Sequence, residues 1–180
     1  DIYCDELSFE SFATCSCKIG FPGLRVSLEN LENLEQCVSY AFICNLNMCG
    51  VFDDTGAIVI AKALQNNLTI TEINVCGSGE GPYHEIGDEG VIAFSKALKT
   101  NLTIKYFKLS GEKFGEKGAI AMANALQINS NLYKFVLLGE IGDEGAIAFA
   151  NALKKNSTLQ EITLGHVYQG KNKIGNKGAI

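Results

Sequence analysis

The fold is decided by one stretch, residues 141–164, which reads IGDEGAIAFANALKKNSTLQEITL. Its first half carries apolar residues that fall on one side of a helical wheel: Ala146, Phe149, Ala150 and Leu153. Its second half alternates with a period of two, so that Ile162 and Leu164 face one side of a strand. The stretch therefore predicts a helix, a turn at Asn156 and a short strand.

The same pattern recurs along the chain in register with one glycine. Copies begin at Gly56, Gly90, Gly118 and Gly145, and another begins at Gly178 and is cut off. The residue seventeen positions after each complete copy's glycine is large and apolar: Ile73, Phe107, Phe135 and Ile162. Ile43, Leu46 and Met48 fit the strand pattern one unit earlier. We predict four helix–strand units, an extra strand before them and a broken fifth unit.

Units of this kind must stack, because one helix and one strand cannot bury their apolar faces alone. Repeated strands in one orientation form a parallel sheet with a spacing of about 4.8 Å. Helices are wider, at roughly 10 Å, so the stack must curve with its strands inside. The prediction is an α/β horseshoe with parallel strands on the concave face and helices on the convex face.

The helix starts have a local explanation. The pairs Asp88-Glu89 and Asp143-Glu144 place carboxylates at the positive end of a helix, where they can cap free N–H groups. Glycines beside them, such as Gly142 and Gly145, allow a tight entry and a close backbone approach.

Residues 1–42 do not keep the register of the repeats. An amphipathic helix is suggested by Leu28, Leu31, Leu34 and Val38, and 24–26 (Leu-Arg-Val) could be a further strand. We interpret 1–42 as an N-terminal cap or a degenerate repeat, and 43–180 as repeats of which the last is truncated. We expect the chain to be part of a larger chain or assembly.

The motif at 141–164 resembles the ribonuclease-inhibitor-like subfamily of leucine-rich repeats. That subfamily includes ribonuclease inhibitor, the GTPase-activating protein of Ran and the sensor regions of NLR immune receptors. Asp53 replaces the first glycine of its unit, the glycine spacings of 34, 28, 27 and 33 are uneven, and the alternating cysteine-rich units of ribonuclease inhibitor are missing. Over about residues 43–180, the resemblance implies a leucine-rich-repeat solenoid with protein ligands at the concave face.

Composition and charge exclude several classes of function. A net charge of −5 with scattered lysines offers no basic surface for nucleic acid, and no apolar run is long enough for a membrane span. The seven cysteines show no paired spacing typical of zinc sites or secreted disulfide frameworks. We predict a cytoplasmic protein with no cofactor, no metal, no nucleic-acid partner and no membrane partner.

The first candidate site is the concave strand face. Its outward positions carry unrelated residues on equivalent strands: Asn45, Glu72, Tyr106, Lys134 and Glu161 in one row, and Asn47, Asn74, Lys108, Val136 and Thr163 in the next. Such variation is expected of a surface that is free to specialise for a protein partner. The alternative is a solvated face with no partner.

The second candidate site consists of two enlarged loops, 77–85 and 165–173, each of which follows a strand. Both carry aromatic and histidine side chains suited to protein contacts: Tyr83, His84, His166 and Tyr168. The alternative is a tolerated surface insertion. Three strand spacings, roughly 15 Å, would separate the two histidines, so a shared metal site is not expected.

No constellation for catalysis is visible. No histidine is placed by sequence to activate a cysteine, and neither a Gly-x-Ser-x-Gly motif nor a phosphate-binding Walker loop occurs. Cys49 and Cys76 are predicted to be neighbouring free thiols. Asn67, Asn101 and Asn156 match glycosylation acceptors, but their recurrence is better explained if each asparagine ends a helix.

The predicted function is a non-enzymatic protein-interaction scaffold that binds through the concave strand face and one loop rim. Two alternatives come from the resemblance: the ligand-sensing region of an NLR-like receptor, and a regulator of a small GTPase or a nuclease.

Overall fold

Within the residues that the structure describes, six strands form one parallel sheet in which the order in space is the order in sequence. The computed structural model describes residues 19–22, 45–50, 53–77, 86–111, 113–165 and 173–178. The strands are β1 (Ile19–Pro22), β2 (Asn45–Gly50), β3 (Glu72–Gly77), β4 (Tyr106–Ser110), β5 (Lys134–Leu138) and β6 (Glu161–Gly165). The helices are α1 (Asp54–Asn66), α2 (Asp88–Thr100), α3 (Glu116–Leu126) and α4 (Gly142–Leu153).

From β2 to β5, each strand is followed by a helix and then by the next strand, and each helix packs against its neighbours in sequence. The predicted α/β class with parallel strands is confirmed. The inward positions of β3, β4 and β5 are fully buried, as the period of two requires, and those of β6 are partly buried. They belong to one continuous core with apolar helix residues such as Ile60 and Met122.

Four phenylalanines join the units within this core. The Phe94 ring meets Phe107 edge-on with a centroid separation of 5.6 Å, Phe107 stacks on Phe135 at 5.9 Å, and Phe135 meets Phe149 at 5.9 Å. Such pairs stabilise by about 0.5–1.5 kcal/mol each beyond the area they bury. The aromatic contacts therefore run from α2 to the strand of its own unit, β4, then to β5 of the next unit, and then to the helix that follows, α4.

The recurring asparagine directly follows the helix in two units, at Asn67 and Asn101, as predicted, and it also joins two units. At the end of α2, the Oδ1 atom of Asn101 accepts hydrogen bonds from the N–H groups of Thr103 (2.9 Å) and Ile104 (3.0 Å). Its Nδ2 atom donates to the carbonyl groups of Leu64 (2.7 Å) and Asn67 (2.9 Å) in the preceding unit. The equivalent turns repeat this bonding in whole or in part: Asn67, Asn129 and Asn156.

The acidic residues at the helix starts do not all cap their own helices, and that prediction is wrong for Asp88 and Asp143. The Oδ1 atom of Asp88 accepts from the N–H groups of Gly115 (2.9 Å) and Gly118 (2.8 Å), at the start of the next helix. Asp143 accepts in the same way from Gly175 (2.6 Å) and Gly178 (3.0 Å). The next unit supplies the donors because these glycines let its backbone approach the carboxylate closely.

The start of α4 departs from this arrangement. There Glu116 reaches across from α3, and its Oε1 atom accepts a hydrogen bond from the N–H of Glu144 at 2.7 Å. Gly142 adopts a φ of 70°, a left-handed conformation that glycine accepts without strain. A side chain at 142 would also meet Glu116 at 2.6 Å. The predicted tight entry at Gly142 is confirmed.

The strand β1 was not predicted at Ile19–Pro22. It pairs with β2 in parallel, so that Gly20 is opposite Asn47, and β2 is therefore the second strand of the sheet rather than the first. The strand expected at 24–26 and the helix expected from Leu28 to Val38 lie outside the described residues.

Candidate protein-binding surface

The outward side chains of β2 to β6 form two parallel rows, which we call the sheet face. Pairing of the strands places the predicted residues side by side: Asn45, Glu72, Tyr106, Lys134 and Glu161 in the first row, and Asn47, Asn74, Lys108, Val136 and Thr163 in the second. The structure thus brings together all ten sheet residues that the sequence singled out.

Contacts between neighbouring strands fill the first row. The Nδ2 atom of Asn45 donates to Oε2 of Glu72 at 2.6 Å, and the Nζ of Lys134 lies 2.5 Å from Oε2 of Glu161. The same ammonium group lies 5.6 Å from the centre of the Tyr106 ring. These are the cross-strand pairs that stabilise a sheet, and they also fix the positions of the outward side chains.

The charge pair shifts the titration of Lys134. The pKa of Lys134 is raised from its ordinary value of 10.5, chiefly because Glu161 accepts a hydrogen bond from the ammonium group and secondly because of its negative charge. Tyr106 and Tyr133 raise the pKa further, whereas burial opposes the shift. Because the pair is well exposed, it contributes more to the arrangement of the surface than to stability.

The second row is less closely paired. The Nδ2 atom of Asn74 donates to Oδ1 of Asn47 at 3.0 Å. Lys108 is partly exposed, and Thr163 is exposed on the last strand. Val136 is only 9% exposed, so although it occupies an outward position it contributes little surface of its own.

The loop residues predicted as contacts lie outside what the structure describes: Tyr83, His84, His166 and Tyr168. The described strands β3 and β6, which those loops follow, are three strands apart, as predicted. Cys49 and Cys76 are Cα partners in β2 and β3, and the structure does not describe their side chains.

Several exposed apolar side chains did not enter the sequence prediction. Leu68 is 76% exposed and Leu102 is 64% exposed, and each follows the asparagine that ends a helix. Tyr133 is 43% exposed directly beside Lys134. The repeated position of the two leucines was visible in the sequence, but only a structure shows that this position faces outward.

Neither a metal centre nor a membrane span is found in the described parts of the chain. No group of three or more histidine, cysteine, aspartate or glutamate residues is arranged there to hold a metal ion. None of the helices among those residues has the length and apolarity that a membrane crossing requires.

Solved structures with the same fold include domains of tropomodulin and leiomodin. The tropomodulin C-terminal domain of Caenorhabditis elegans matches with a TM-score of 0.62 and 15% identity, over 82% of this chain and 87% of that one. Leiomodin-1 actin-binding site 2 matches with a TM-score of 0.57 and 20% identity, over 77% of this chain and 79% of that one. No protein-family model and no curated protein sequence matches the chain.

These neighbours correct the resemblance drawn from the repeat motif. The identification as a ribonuclease-inhibitor-like leucine-rich-repeat protein is wrong, because solved domains of tropomodulin and leiomodin share the fold of this chain. The motif led to the wrong family because its glycine, asparagine and apolar positions are those that packing of one helix–strand unit on the next requires. The prediction that the chain is not an enzyme agrees with the comparison, since the activity named for the leiomodin-1 fragment is actin binding.

Proposed function

We propose that the chain is a non-enzymatic, cytoplasmic protein-binding domain that contacts its partner through the sheet face. The observation that carries the proposal is the pair of rows described above, in which chemically different side chains occupy equivalent positions on a regular frame. Inward positions are apolar on every strand from β2 to β6, whereas outward positions range from acid to amide to lysine.

The shape expected of the stack favours the same surface. Helices need about 10 Å of lateral room and strands about 4.8 Å, so the sheet face would be the concave side of a curved body. A concave surface with fixed side chains reduces the entropy lost when a partner binds. The sheet face is therefore a better candidate than the helix layer.

Actin is the first partner to test, because the leiomodin-1 fragment of the same fold is named an actin-binding site. At 20% identity this likeness concerns the fold, and actin binding by this chain is our proposal. The NLR-like receptor, the GTPase regulator and the nuclease inhibitor were suggested by the motif resemblance and lose their support with it.

The test is a titration of the full chain with fluorescently labelled monomeric actin. We expect Thr163→Trp, which places a bulky ring on the sheet face, to weaken binding by more than about tenfold. The matched control is Asn151→Trp, an exposed position on α4 in the same unit. No binding by the unsubstituted chain would exclude actin, and equal binding by both variants would exclude the sheet face.

The two enlarged loops are proposed as a second part of the interface. Tyr83, His84, His166 and Tyr168 would extend the sheet face along the rim where the strands end. Replacing each loop by a short turn should weaken the same interaction, and unchanged affinity would remove the rim from the proposal. Residues 1–42 are proposed as the first, degenerate unit of the stack, supported by the pairing of β1 with β2.

A further inference from the structure

One lysine on the sheet face is not neutralised by its neighbours. Lys134 is paired with Glu161, and Glu72 accepts a hydrogen bond from Asn45. Lys108 makes no hydrogen bond and no ion pair within the described parts of the chain. It therefore carries the one lysine charge of the described sheet face that has no acidic partner there.

The residues directly opposite Lys108 on the adjacent strands are not acidic. Its partners on the adjacent strands are Asn74, whose amide group is hydrogen-bonded to Asn47, and Val136, which is apolar. Tyr106 lies two residues earlier on the same outward side of β4. A partly exposed ammonium group is thus bordered by an amide that is already bonded, an aliphatic side chain and an aromatic ring.

A partner that covered this position would remove water from the ammonium group. Burial of an uncompensated charge is costly, whereas a carboxylate placed against it recovers the lost solvation in a charge-assisted hydrogen bond. A neutral partner would therefore be disfavoured at this position, and an acidic one would be selected.

We propose that the sheet face binds a protein segment that carries an aspartate or glutamate, and that Lys108 receives its carboxylate. Apolar residues on either side of the acid would lie against Val136 and Tyr106. The proposal rests on the protein-binding function proposed above and names the chemistry of the partner.

Charge on the sheet face favours a single carboxylate over a polyanion. The charged side chains of the two rows are two acids and two lysines: Glu72, Lys108, Lys134 and Glu161. Nucleic acids and anionic membranes gain affinity by contact with several cations at once. Because the chain as a whole has a net charge of −5, it would repel a nucleic acid or an anionic membrane rather than attract it.

The experiment selects short random peptides displayed on phage against the full chain and against charge-reversed variants. Lys108→Glu alters the proposed contact, and Lys96→Glu makes the same change at an exposed position on α2. Thermal unfolding of each variant establishes that it is folded. Peptides recovered with the unsubstituted chain are then synthesised and their affinities measured for Lys108→Gln and Lys96→Gln.

We expect the unsubstituted chain and Lys96→Glu to enrich peptides with an acid between apolar residues, and Lys108→Glu to enrich basic peptides instead. The affinity of an acidic peptide should fall about tenfold in Lys108→Gln and stay unchanged in Lys96→Gln. Failure to enrich acidic peptides, or equal binding by Lys108→Gln, overturns the role of Lys108.

The two proposals fail in distinguishable ways. Peptides that bind Lys108→Gln normally but bind Thr163→Trp weakly would overturn the acidic partner and leave the sheet face as the binding surface. Peptides that bind both Lys108→Gln and Thr163→Trp as well as they bind the unsubstituted chain would overturn both.

Discussion

The carboxylate of Asp54 lies against the backbone of Gly90 in the next unit. Its Oδ1 atom accepts the N–H of Gly90 at 2.8 Å, and a Cβ atom on residue 90 would lie 2.7 Å from that same oxygen. The hydrogen bond between the two units therefore requires glycine at position 90, because a side chain there would collide with the carboxylate that accepts the bond. The glycine at position 90 is therefore explained by the unit before it, and so are Gly118 and Gly178, whose N–H groups donate to Asp88 and Asp143.

Replacement of Gly90 by alanine should destabilise the chain. Alanine normally gains about 1 kcal/mol over glycine inside a helix. Here the added methyl would also meet Ala57 and Ile86 at 2.8 Å, and overpacking of this kind costs about 3 kcal/mol. We expect a net loss of about 2 kcal/mol in the free energy of unfolding, measured by urea denaturation.

A glycine at the start of α3 provides the control. A Cβ atom on Gly115 would have no other atom within 4 Å, and serine is a favoured residue at a helix N-cap. Gly115→Ser should therefore leave stability unchanged or raise it by a few tenths of a kcal/mol. Equal losses in Gly90→Ala and Gly115→Ser would show that the close approach of Asp54 is not the cause.

Removal of the Asp88 carboxylate should lower the free energy of unfolding, because it removes hydrogen bonds between α2 and α3. Asp88→Ala leaves the N–H groups of Gly115 and Gly118 without their acceptor, and each lost bond costs about 1 kcal/mol. We expect a loss of about 2 kcal/mol by urea denaturation. The neighbouring Glu89 is exposed, so Glu89→Ala should change stability by less than about 0.5 kcal/mol. The opposite order of effects would support the sequence-based expectation of capping within one helix.

The sequence was sufficient to predict the order of helices and strands because that order is periodic. Two spacings, one helical and one of two residues, identify which side of each element is apolar, and repetition of Gly90 and Gly118 aligns the units. The same periodicity places Glu72 opposite Tyr106, and Asn74 opposite Lys108, without knowledge of the structure. The rows of the sheet face were accordingly predicted in full.

Hydrogen bonds between units could not be predicted from the sequence in the same way. Asp88 looks like a cap for its own helix because the pattern within one unit is all that local rules consider. Whether its carboxylate turns to the next helix depends on the lateral distance between helices, which no spacing in the sequence encodes. The family assignment failed for a related reason, since a motif that records packing requirements does not record descent.

Asn101→Asp should be strongly destabilising although the two side chains have the same shape. The substitution places an oxygen where Nδ2 donates to the carbonyl groups of Leu64 (2.7 Å) and Asn67 (2.9 Å), at a side chain that is 2% exposed. Repulsion and desolvation of the carboxylate should cost about 3 kcal/mol or more in urea denaturation. Asn124 is exposed on α3, and Asn124→Asp is expected to be close to neutral. Similar losses at both positions would contradict the proposed joining role of Asn101.

Glu161→Gln should lower the pKa of Lys134 toward its ordinary value of 10.5, because the hydrogen bond and charge of Glu161 are the main causes of its raised pKa. A raised pKa in the folded state means that the pair's contribution is present at neutral pH and is lost as the pH rises through that pKa, above 10.5. The lysine side-chain carbons can be followed by NMR across an alkaline titration. Lys177, whose pKa is raised by Glu144, serves as an internal control and should titrate unchanged in the same variant. A Lys134 titration that does not move in Glu161→Gln, or one that moves together with Lys177, would show that the cross-strand pair does not set the charge of the sheet face.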